Sequence, residues 1–128
     1  MKIGFFLMWI TATCVALAFA LKPQALDLGF QGADKLLHLG VFMSLTLIPV
    51  ITFDKMYNII LGILFVMSIG VCIELFQYSM PTRQAEWMDV VYDGYGVALG
   101  SLIGWALRGV YQSILPLAYI EAYIKPKS

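Results

Sequence analysis

The sequence predicts an all-α membrane bundle of four transmembrane helices, and three observations carry that prediction. Charged residues fill only 12% of the 128 positions, where a soluble domain carries about a quarter. Hydrophobic residues reach 61%. They also fall in runs long enough to cross a hydrocarbon layer of about 30 Å at roughly 1.5 Å per helical residue. The length suits a single domain, residues 1–128. Eight basic and eight acidic residues cancel, so no excess positive charge invites nucleic acid. Cys14 and Cys72 lie inside apolar runs without a C-x-x-C pair, which points to neither a redox motif nor a zinc cluster.

The first span, residues 3–21, contains no charge. Lys2 and the small pair Ala18/Ala20 also resemble a signal peptide, but a polytopic chain follows, so an uncleaved helix is expected. The second span, 36–53, is bracketed by Asp34-Lys35 and Asp54-Lys55, with Pro49 expected to kink it near its end. The third, 57–78, carries Glu74 and Gln77 in its last turns. The fourth, 90–107, opens on Asp89 and Asp93 and exits at Arg108. Residues 112–128, interrupted by Pro116 and Glu121, are too short to span and are expected along the interface. Trp9, Trp87 and Tyr92 read as interfacial anchors.

Lysine and arginine set the orientation. Lys2, Lys55, Arg108, Lys125 and Lys127 share one face, against Lys22, Lys35 and Arg83 on the other. Both termini are therefore expected in the cytoplasm. Topology then brings the unusual polar residues to the outer face: Asp34, Lys35 and His38 from the second helix, Glu74 and Gln77 from the third. Arg83 and Glu86 follow in the loop, and Asp89 and Asp93 in the fourth helix.

Spacing refines that placement. Asp34 and His38 are i,i+4 and share a helix face. Asp89, Asp93, Gly96, Gly100 and Gly104 form one stripe, and glycine at such spacing lets helix backbones approach in lipid. The stripe is read as packing, with self-association as one use of it. Glu74 lies about 10 Å below the Pro81 turn, too deep to reach water through lipid, so Arg83 or Lys35 is its expected partner. Any one of these residues alone reads as a register device or, for Asp89, a helix N-cap. Their gathering at one mouth reads as a functional site.

The segments Asp34-Lys35-Leu36-Leu37-His38, Glu74-Leu75-Phe76-Gln77, Pro81-Thr82-Arg83, Asp89-Val90-Val91 and Gly96…Gly100 resemble the VanZ-like family. That family's pattern runs D-K-x-x-H, E-x-x-Q, P-x-R, D-x-x-x-N and G-x-x-x-G in this order. The resemblance extends from Asp34 to about Gly104, and Asp93 departs from the family's usual Asn. It implies a multi-pass protein of the bacterial cytoplasmic membrane, within the cell envelope. Its named member is associated with resistance to the glycopeptide antibiotic teicoplanin.

Two functions compete. In the first, an envelope enzyme acts on a lipid-linked or cell-wall anionic substrate. His38 is its general acid or base, Asp34 orients the imidazole, and Glu74 or Asp89 supplies a second acid/base or a nucleophile. Lys35 and Arg83 bind the anionic head group, with Gln77 and Asp93 completing the substrate side. In the second, the same cations serve a non-catalytic module that holds a lipid head group or a partner protein. A metal held by His38, Glu74, Asp89 and Asp93 is a third reading. One nitrogen donor and no H-E-x-x-H helix give the sequence no ground to assign a metal or another cofactor.

Overall fold

The computed structural model describes residues 2–20, 32–80 and 86–124, with side chains to Ile114 in the last helix. Among the described residues there are four helices and no strand: α1 (Lys2–Ala20), α2 (Ala33–Thr52), α3 (Met56–Tyr78) and α4 (Trp87–Ile124). All four are long and apolar enough to cross a membrane. The protein is a multi-pass helical bundle. Its outward surfaces, including Leu64, Phe65 and Leu75 on α3 and Leu102 on α4, are exposed and apolar, as lipid contact requires.

Helix α2 is the centre, with α1, α3 and α4 all packed on it. Its chain enters through Gly32 at φ +81°, a left-handed conformation that favours glycine. The stripe on α4 explains its close approach to α2. A Cβ on Gly96 would stand 2.5 Å from the Leu39 carbonyl oxygen, and one on Gly104 would stand 2.8 Å from the Val50 side chain. One on Gly100 would collide with the Met43 backbone. Glycine here is therefore a steric requirement of the α2–α4 interface.

Two expectations change. Trp9 is buried rather than interfacial, and it packs edge-on against Phe53 and Phe65. Its indole Nε1 donates to the Leu45 carbonyl at 2.8 Å. The reason lies at Pro49, inside α2. Proline has no N–H, so the carbonyl four residues earlier, that of Leu45, loses its helical donor. In a membrane such a freed carbonyl must be satisfied by a neighbour, and Trp9 on α1 does this. The Pro49 ring in turn lies against α3, where Gly62 leaves room for it.

The C-terminal expectation also changes. No separate interfacial segment follows Arg108, because α4 continues as one helix to Ile124. Arg108 does not end the helix but serves α2. Its guanidinium donates to the carbonyls of Val50 (3.1 Å), Phe53 (2.6 Å) and Asp54 (3.3 Å). Those groups lie at the end of α2, where carbonyls lack helical donors and carry the negative end of the dipole.

Candidate functional site

The opposite end of the bundle holds the polar residues. His38 stands on the second turn of α2, Glu74 one turn before the end of α3, and Asp89 and Asp93 on the first two turns of α4. Antiparallel connections bring these segments to a common level. The i,i+4 spacing of Asp89 and Asp93 then turns both carboxylates towards α2 and α3.

His38 is held by α4. Its Nδ1 lies 2.9 Å from Asp93 Oδ1, and its Nε2 lies 4.0 Å from Asp89 Oδ2. The ring also stacks on Phe42, one turn along, with the planes 3° apart. Asp93 is 1% exposed, and its second oxygen faces α3 at Gly70, where a Cβ would come within 2.5 Å of Oδ2. Gly70 is thus required for Asp93 to reach His38. The Asp34–His38 pairing open to the sequence is not what orients the ring. Asp34 instead lies 3.4 Å from the Lys35 ammonium.

The expected Lys35–Glu74 pairing is likewise replaced. Lys35 reaches outward to Glu86 at 2.9 Å, forming a half-exposed rim with Asp34. Arg83, the other expected partner of Glu74 and a predicted head-group ligand, lies outside the described residues. Glu74 is 8% exposed, and neither of its carboxylate oxygens has a hydrogen-bond partner among the described residues. Asp89 is equally buried, with its Oδ1 also unpartnered, so its side chain turns into the cluster and does not cap α4. Gln77, expected beside the substrate, is buried and donates from Nε2 to the Ala20 carbonyl at 2.9 Å. It ties α3 to the end of α1.

The site therefore has two layers. A rim of Asp34, Lys35 and Glu86 meets the surroundings. Beneath it, among the described residues, three carboxylates surround one imidazole; with all three ionised and the imidazole protonated, the cluster carries a formal charge of −2. Unpaired charge in hydrocarbon is costly and usually marks function. Two features of this site escaped the sequence reading: the His38–Asp93 hydrogen bond and the place of Gly70 beneath it. The i,i+4 rule favours a partner on the same helix, and nothing in one sequence sets the rotation of α4 about its axis. No protein-family model matches the chain, and no curated protein or solved structure matches it.

Proposed function

We propose that this chain is a VanZ-like protein of the bacterial cytoplasmic membrane, whose polar cluster acts on an anionic lipid-linked or cell-wall substrate at the outer leaflet. The observation that carries this reading is the imidazole of His38, fixed at Nδ1 by buried Asp93 and left with Nε2 directed towards Asp89 and Glu74. An imidazole held by a carboxylate at one nitrogen and open at the other is the arrangement general acid–base chemistry uses. Asp93 is then a positioning residue, and Glu74 and Asp89 are the carboxylates within reach of a reacting group. Lys35 is the described cation at the rim, and a phosphate or pyrophosphate would exchange with Glu86 for it.

The sequence motifs shared with the VanZ-like family support the envelope setting and the link to teicoplanin. The test is expression of the chain in a teicoplanin-susceptible bacterium, with the inhibitory concentration measured beside the amount of protein in the membrane. The wild type is expected to raise it, and His38→Ala and Glu74→Gln to return it to the host's value at equal abundance. An unaltered wild-type host would refute the resistance link, and fully active variants would refute the site. His38→Gln separates catalysis from head-group binding, since glutamine keeps polar contacts but cannot shuttle a proton.

A further inference from the structure

We propose that His38, Glu74 and Asp89 form a binding site for a divalent first-row transition-metal ion, with Asp93 as the outer-shell carboxylate that sets the imidazole. Three independent observations converge on it. One ligand atom from each of the three side chains, on three different helices, lies within 4.8 Å of the other two. Tetrahedral ligands about 2.1 Å from an ion stand about 3.4 Å apart. The 4.0 Å between His38 Nε2 and Asp89 Oδ2 needs a closure of about 0.6 Å, and the widest pair, within 4.8 Å, one of up to about 1.4 Å.

The second observation is orphaned polarity. Both oxygens of Glu74 and Oδ1 of Asp89 are buried without a hydrogen-bond partner among the described residues, in side chains more than nine-tenths buried. A protein interior seldom leaves such acceptors bare. A dication supplies the missing electrophile and, with the ligating imidazole neutral, cuts the formal charge of the three carboxylates from −3 to −1.

The third is the role of Asp93. A metal-ligating histidine usually gives its other ring N–H to a carboxylate, which fixes the tautomer and aims the free nitrogen at the ion. His38 Nδ1 and Asp93 Oδ1, 2.9 Å apart, make that pair, and Nε2 is left facing Asp89. The donor set also selects the ion. One imidazole with two carboxylates suits Zn²⁺, Mn²⁺ or Fe²⁺, whereas Ca²⁺ and Mg²⁺ take oxygen ligands. Three protein ligands leave a coordination position open. This site rests on the anionic substrate of the functional reading above but gives His38 Nε2 to the ion instead of to proton transfer. The open position takes a phosphate oxygen of that substrate.

The experiment uses the full chain purified in detergent, stripped with chelator and titrated with Zn²⁺, Mn²⁺ and, as a control, Mg²⁺. Elemental analysis and calorimetry read the result. About one equivalent of Zn²⁺ or Mn²⁺ per chain is expected, with Mg²⁺ at least tenfold weaker. Glu74→Gln and Asp89→Asn should each weaken binding at least tenfold. Asp93→Asn should keep the stoichiometry but lose about 10- to 100-fold in affinity. Because protons compete for Nε2 and the carboxylates, affinity should fall as the pH is lowered.

Co²⁺ absorption gives a direct readout, because a nitrogen–oxygen ligand field should appear in the wild type and vanish in His38→Ala. Helical circular dichroism shows whether each variant has folded, and the wild-type titration decides even if one has not. Substoichiometric binding, or affinity unchanged in both Glu74→Gln and Asp89→Asn, would overturn the proposal. The two readings fail separately. A metal-free chain whose His38→Ala variant still loses the cellular effect keeps the function and loses the metal, and a metal-binding chain without cellular effect does the reverse.

Discussion

At the Thr52 end of α2 one guanidinium, that of Arg108, is shared among three carbonyls that have no helical donor. At the Ala33 end three buried carboxylates surround one imidazole, and neither oxygen of Glu74 has a hydrogen-bond partner among the described residues. The same helix anchors both places, and both lie in apolar surroundings. The first is charge used to complete a fold, with acceptors and donors matched. The second is charge that the described residues do not satisfy. Charge and burial alone do not tell these two ends apart, whereas the number of partners among the described residues does.

Substitutions can break or sharpen that contrast. The largest effect is expected where neither end survives. Gly100→Leu drives a side chain into the Met43 backbone, so α4 should fail to dock on α2, and folded protein in the membrane should drop to background on a detergent-solubility assay. Next in size is Arg108→Ala, which strands the α2 carbonyls. It should cost about 2–4 kcal/mol in thermal or denaturant unfolding in detergent, while metal binding at the other end stays within about twofold.

Glu74→Gln should behave in the opposite sense. Removing a buried carboxylate that has no partner among the described residues is expected to leave stability unchanged or raise it by about 1 kcal/mol while the proposed activity is lost. A loss of 2 kcal/mol or more would show that Glu74 is a structural partner after all, and the contrast between the two ends would collapse. The smallest effect is at Trp9. Trp9→Phe keeps a ring in place but removes the donor to Leu45, a loss of about 1 kcal/mol. In a Pro49→Ala background the restored backbone N–H can serve Leu45, so the same substitution should cost less. An equal cost in both backgrounds would refute the compensation between Trp9 and Pro49.

Span positions were legible because they depend on hydropathy and length, which are local properties. α3 ends at Tyr78 as expected, and α1 ends within a residue of the predicted boundary. α2 and α4 begin three residues earlier than their apolar runs suggest, since polar first turns are excluded from a hydropathy count but form helix readily. The glycine stripe was also legible, because its period matches a helix face. Trp9 was not. An aromatic within a spanning helix looks the same in the sequence whether it meets lipid or a freed carbonyl on a neighbouring helix.

The sequence by itself determined four spanning helices, their order, and the gathering of His38, Glu74, Asp89 and Asp93 at one end of the bundle. Those follow from apolar run length and from antiparallel connection, which one chain encodes in series. Only the tertiary structure decided the partners: His38 with Asp93 rather than Asp34, Lys35 with Glu86 rather than Glu74, and Arg108 with the end of α2. Partners depend on how far each helix is rotated about its axis and how closely the backbones approach. Those quantities are set between helices, by the Gly96, Gly100 and Gly104 contacts and by the space at Gly70, and they exist only once the helices have packed.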